Sequence, residues 1–199
     1  MPSRTGRDRA LQRAKAKTFL NAAALAVHSQ QLTRLVREGT LERVARGTYR
    51  TANRPITEHH SLAVVSTIAP RSVICLLSAL AFHQVGTQVP FELWVAIERG
   101  TRPPRLDNPP LRILRFSGEA FRRGIEVHTI EGMRVRIYGI AKTIADLFKF
   151  RNRIGIDIAI EALRDAWQRR LVTIDEIDRY AKVCRVERVM RPYIETLIA

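Results

Sequence analysis

The side chains best suited to chemistry in this chain sit together on one short predicted helix: Gln30, Gln31, Thr33 and Arg34. Gln can pair bidentately with adenine, and Arg with guanine, in the major groove of duplex DNA, where base edges present distinct donor and acceptor patterns. Such contacts usually come from the first turns of the inserted helix. Arg37 follows on the same helix, and Arg43 and Arg46 on the segment after it. These three are better placed for phosphates, which give affinity but no sequence information. Ser29 is the expected N-cap. The chemistry implied is recognition of a base sequence, with no cofactor needed.

Patterns for turnover are sparse. There is no Gly-rich phosphate loop and no Gly-x-Ser-x-Gly elbow. The five histidines, at 28, 59, 60, 83 and 128, are scattered, and none has the partners of a metal site. Asp157, Glu161 and Asp165 recur every four residues and read as a solvated helix face. Glu92, Glu98 and Glu126 lie near predicted strands, without the Asp…Glu-x-Lys pattern of a nuclease. Lys142 and Asp146, four apart, read as an ordinary helical ion pair. Cys75 and Cys184 are far apart in apolar contexts, and read as buried free thiols. The sequence predicts neither an enzyme nor a metal protein.

The elements that must position the recognition face follow from periodicity. Residues 18–38 read as two short helices, the first striped by Leu20, Ala23, Ala24 and Val27. In the second, Leu32, Leu35 and Val36 fall on one face, opposite the polar set, and Gly39 suits the left-handed position that ends a helix. Residues 40–51 read as a tight hairpin, with Leu41, Val44 and Tyr49 inward and Ala45-Arg46-Gly47 at the turn. Arg43, Arg46 and Arg50 are expected to project from it. Residues 1–17, Arg/Lys-rich with good helix formers, read either as a first helix or as a basic arm, and Asn53-Arg54-Pro55 as a linker.

A helix over 56–69 follows, capped by Thr57 or an upstream neighbour, then strands at 73–76, 93–97, 111–116, 125–130 and 133–138. Alternation in the last strand predicts one apolar face, Met133, Val135 and Ile137, and one polar face, Arg134, Arg136 and Tyr138. The C-terminus is helical. Ile140, Ile144, Leu147 and Phe148 make one apolar face, and Ile156, Ala159, Ile160, Leu163 and Trp167 a second. Thr173 caps a third helix, and Pro192 interrupts a fourth. The expected class is α+β: a winged helix-turn-helix over 1–54 with its basic arm, then a mixed α/β domain over 55–199 with a helical C-terminus.

Charge supports this division. The chain of 199 residues carries a net charge of +15. Residues 1–54 hold 12 Lys/Arg against 3 Asp/Glu, a net of +9, so over half the excess sits in about a quarter of the chain. Nucleic acid is the usual partner of such a surface. No apolar run approaches the ~20 residues that span a bilayer, and no secretory signal opens the chain, so a cytoplasmic protein with no membrane partner is expected.

The stretch LTRLVREGTLERVARGTYR, residues 32–50, closely resembles the N-terminal winged helix of AbiEi-type antitoxins of type IV toxin–antitoxin systems. The resemblance continues in ICLLSALAFHQVG at 74–86, FELWVAIERGTRPPR at 91–105, and the long stretch 125–167. The most family-like part is AKTIADLFKFRNRIG at 141–155. It implies that an N-terminal winged helix binds operator repeats at the protein's own promoter. It also implies that the C-terminal domain counteracts a nucleotidyltransferase toxin without needing a stable complex. By position, Ser29, Gln30, Gln31, Thr33 and Arg34 fall on the family's recognition helix, and Arg43 and Arg46 on its wing. A possible basic antitoxin surface comprises Arg99, Arg102, Arg105, Arg112, Arg134 and Arg136. A homodimer on DNA would match inverted-repeat operators. Two alternatives stand beside this reading: a stand-alone regulator whose second domain dimerises or senses a ligand, and a nucleic-acid-processing enzyme.

Overall fold

A computed structural model describes residues 18–21, 28–106 and 108–198. The basic arm, and most of the first predicted helix, lie outside the described residues. Mixed α and β structure is observed, in two compact units. One comprises Met1–Pro70 with His128–Val135, the other Arg71–Val127 with Arg136–Ala199.

The N-terminal unit opens on β1 (Phe19–Asn21), where a helix is expected from the sequence. Phe19–Asn21 pairs antiparallel with β3 (Thr48–Thr51), Leu20 lying opposite Tyr49. The reason is packing. Leu20 joins a small core with Leu32, Leu35 and Leu41, closed by Val36 and Tyr49. Helix α1 (Ser29–Arg37) supplies two of those leucines from its apolar stripe, as its periodicity predicts. Its N-cap position is His28, which makes no side-chain cap bond, and Ser29 is the first helical residue. The Ser29 carbonyl instead accepts from Thr33 Oγ1 at 3.1 Å. The amides of Gly39 and Thr40 bond back to the carbonyls of Val36 and Leu35, with Gly39 at φ +69°. This is a Schellman close. Nothing lies within 4 Å of a Cβ built there, so Gly39→Ala carries only the backbone penalty. It is expected to cost about 1–2 kcal/mol in urea unfolding.

Strand β2 (Leu41–Ala45) meets β3 through Arg46-Gly47, with a register irregularity between Arg43 and Ala45. Gly47 takes φ +72°, as the predicted turn requires. Arg50 corrects the expectation: it does not project but is 1% exposed. Its guanidinium bonds Glu42 Oε2 at 2.6 Å and the Arg54 carbonyl. Helix α2 (His60–Ile68) follows, burying Leu62 to Ser66. Thr57 does not cap it; the N-cap position is His59.

A five-stranded sheet follows, ordered β6-β5-β4-β8-β7, of which His128–Val135 counts with the first unit and the rest with the second. Its strands are β4 (Val73–Ile74), β5 (Leu93–Glu98), β6 (Leu111–Phe116), β7 (Ile125–Ile130) and β8 (Met133–Tyr138). β4 runs antiparallel to β5 but parallel to β8, and β5 and β6 are parallel. The helices are α3 (Leu76–His83), α4 (Gly118–Arg122), α5 (Ile140–Lys149), α6 (Arg151–Ile154), α7 (Ile156–Gln168), α8 (Ile174–Cys184) and α9 (Glu187–Ile198). Thr173 and Glu176 form the expected capping box on α8. Pro192 does not interrupt α9, which runs through it. Tyr138 is not on a solvated face: it is fully buried, and its hydroxyl donates to the Phe121 carbonyl at 2.8 Å. Among the described residues no helix is long and apolar enough to cross a membrane.

Candidate nucleic-acid interface

Helix α1 buries Leu32 and Leu35 and leaves the other side to solvent. Ser29, Gln30, Gln31, Thr33, Arg34 and Arg37 are all exposed, as are Arg43 and Arg46 on the following hairpin. The structure thus brings the eight predicted residues onto the exposed surface of one small unit, carried by a helix and the hairpin directly after it.

The cations in this set are not equivalent. Arg34 Nε donates to Glu38 Oε1 at 2.8 Å. Arg37, Arg43 and Arg46 make no ion pair among the described residues. Thr33 donates its hydroxyl to the Ser29 carbonyl and is exposed. Buried Arg50 holds the hairpin to its exit by gripping Glu42 and the Arg54 carbonyl. Sequence reasoning had no signal for that role.

One element of the unit comes from far along the chain. At the β7–β8 turn, Glu131 (φ +49°) and Gly132 (φ +79°) both take left-handed conformations. Glu131 Oε1 accepts from the Thr57 amide at 2.8 Å and the Thr57 hydroxyl at 3.1 Å. Its Oε2 lies 2.8 Å from His60 Nδ1, and the His60 ring stacks on Phe19. Only 3% of the Glu131 side chain is exposed. Burial alone would raise its carboxyl, but Thr57 and His60 outweigh this and hold it below its ordinary value.

Residues 19–52 match the family model of the transcriptional regulator AbiEi antitoxins. The matched segment holds β1, α1 and the β2–β3 hairpin, and so every residue of the exposed polar and arginine set. No curated protein matches the chain. Among solved structures it is similar to the crystal structure of the RV2827C protein from Mycobacterium tuberculosis, at 12% identity and a TM-score of 0.61. That likeness covers 91% of this chain and 72% of the other, and speaks for the fold alone.

Outside the matched segment the predicted arginines divide. Arg99, Arg102, Arg105 and Arg134 are exposed. Arg112 is exposed too, but lies over the Trp94 ring and bonds Glu92 Oε1 at 2.8 and 2.6 Å. Arg136 is half-buried and donates to the Arg71 carbonyl. The acids near strands are likewise engaged, Glu92 with Arg112 and Glu98 with Arg122. Asp157, Glu161 and Asp165 are not simply a solvated face. Asp165 accepts from the Gly86 amide, and Glu161 from the Thr87 amide and hydroxyl, so two of them clamp the loop after α3. The Gly86 amide, with Arg169, holds Asp165 below the usual range. No group of three His, Cys, Asp or Glu could hold a metal among the described residues.

The largest surprise is Lys142 and Asp146. They are 0% and 1% exposed, paired at 2.5 Å in the middle of the C-terminal unit. The Lys142 ammonium lies 4.2 Å from the Tyr138 ring centroid and 5.1 Å from that of Phe116. The Cys184 thiol donates to Asp146 Oδ1 at 3.2 Å. Burial raises Asp146 against the pull of Lys142, and pushes Cys184 up to about 12 and Cys75 well above its ordinary value. Both thiols are free and buried, as their contexts predict.

Proposed function

We propose that this protein is a DNA-binding autorepressor and antitoxin of a type IV toxin–antitoxin system. The observation that carries the reading is the exposed surface of α1 and the β2–β3 hairpin, coinciding with the AbiEi match over 19–52. In this reading α1 is the recognition helix of a winged helix-turn-helix within residues 1–54, and β2–β3 is its wing. Gln30, Gln31, Thr33 and Arg34 meet base edges. Arg37, Arg43 and Arg46 meet phosphates. The site is operator repeats at the protein's own promoter, bound in the cytoplasm by a homodimer. Residues 55–199 counteract a nucleotidyltransferase toxin, and the exposed Arg99, Arg102 and Arg105 belong to the surface that does so. No catalysis by this chain is invoked.

The test is binding of the purified protein to its own upstream DNA across a salt series, beside Arg34→Ala/Arg43→Ala. Selective binding that survives competitor DNA, weakens steeply with salt and is lost in the variant is expected. Binding that is indifferent to sequence, or unchanged in the variant, removes the reading.

A further inference from the structure

We propose that Glu38 is a positioning residue that presents Arg34 as a reader of guanine, so that each operator half-site carries a guanine opposite it. The inference rests on the DNA-binding reading above and adds the base that one side chain selects.

Glu38 needs an explanation. It is the C-cap residue of α1, where the negative end of the helix dipole disfavours a carboxylate. It lies on the surface assigned to a polyanion, where a carboxylate weakens binding. Its pairing with Arg34 runs from cation to anion along the chain, the less stabilising order for a helical pair. The pair therefore adds little to the helix itself. The other acid of the α1–hairpin segment, Glu42, is already used by the buried Arg50.

The geometry shows what the pair does. Glu38 Oε1 takes the Nε–H of Arg34 at 2.8 Å, while the Arg34 side chain stays 68% exposed. With Nε occupied, the two terminal amines remain as a planar fork with restricted rotation. An end-on fork of two N–H donors matches O6 and N7 of guanine. The partial neutralisation by Glu38 also makes Arg34 a poorer phosphate ligand than Arg37, Arg43 and Arg46, which make no ion pair among the described residues. The surface thus holds one oriented cation beside three that make no ion pair among the described residues, as a division between base reading and phosphate contact requires.

The experiment is selection of bound sequences from a random 20-bp duplex library by the full-length protein, followed by affinity measurements on single-base variants of the selected site. The wild type should enrich guanine at one position of each half-site. Arg34→Ala should lose that preference and keep the others. Arg34→Lys should lose it as well while keeping the wild-type salt slope, because a lysine retains the charge without the fork. Glu38→Ala, which removes the acceptor of the Arg34 Nε–H, should bind non-specific duplex at least as tightly as wild type, yet discriminate at that position about 5-fold less or worse, within the range one bidentate pair commands. Arg37→Ala should leave the preference intact. The inference is overturned if Glu38→Ala keeps full discrimination. It is equally overturned if Arg34→Ala weakens every sequence alike and lowers the salt slope by about one, the mark of a phosphate contact; the DNA-binding reading survives either result. A wild-type protein that selects no sequence at all sinks both.

Discussion

Asp146→Ala is expected to destabilise the C-terminal unit by about 3–5 kcal/mol. The substitution leaves the Lys142 ammonium with 0% exposure and no carboxylate, beside the rings of Phe116 and Tyr138. Aromatic faces attract a cation but do not replace a buried counter-charge. The Cys184 thiol loses its acceptor at the same time. For a chain this size the loss corresponds to a fall in melting temperature of roughly 6–20 °C. Trp94 and Trp167 both lie in this unit and report its unfolding by fluorescence. Replacing both partners, as Lys142→Met/Asp146→Leu, should recover much of the loss, since it removes the uncompensated charge along with the pair. A cost below about 1 kcal/mol for Asp146→Ala would be the behaviour of a solvated surface pair, and the buried arrangement would then be wrong.

Glu131→Ala is expected to weaken the N-terminal unit by about 2–3 kcal/mol, although Glu131 stands more than sixty residues beyond the end of its main segment. The carboxylate satisfies the Thr57 amide and hydroxyl and meets His60, which in turn packs on Phe19. Without it the Thr57 amide and the His60 ring lose their partner, while the left-handed backbone at position 131 still has to be held. Amide exchange across residues 18–70 should accelerate, with the tryptophan-reported transition little changed. Equal loosening of both units would contradict the local role. The pH dependence has a definite sign. Because the folded carboxyl is held below its ordinary value of 4.5, its contribution is complete above that value. It disappears as pH falls through the lower folded value. Glu131→Gln should flatten this acid limb and leave stability near neutral pH closer to wild type than Glu131→Ala does.

What the sequence showed and what it hid divide along a physical line. Helix α1 was legible because Leu32, Leu35 and Val36 share a face within one turn and Gly39 ends it locally. The β2–β3 turn was legible because Arg46-Gly47 is a local signal. The exposed set from Ser29 to Arg46 followed from the same periodicity. β1 was hidden because Leu20 is settled by Tyr49, 29 residues away, and helical spacing over four apolar positions had no rival within the window. Arg50 read as a projecting cation because its acceptors, Glu42 and the Arg54 carbonyl, converge only once the hairpin folds. Lys142 and Asp146 have the same i,i+4 spacing whether solvated or buried. Only the packing of sheet and helices around α5 decides between them. Glu161 and Asp165 lost their solvated reading for the same reason, since the loop they clamp lies over seventy residues earlier.

The N-terminal unit is written in two instalments, Met1–Pro70 and His128–Val135, with a stretch of the second unit between them. Such a unit is not a cassette. A stop codon, a nick or a recombination crossover anywhere from 71 to 127 separates Glu131 from Thr57 and His60, and leaves the N-terminal unit without one of its fasteners. Nor can the module be exchanged between genes by a single junction, as a tandem domain can. Heredity therefore ties the two halves together: a lineage that sheds the C-terminal half impairs the N-terminal one in the same event.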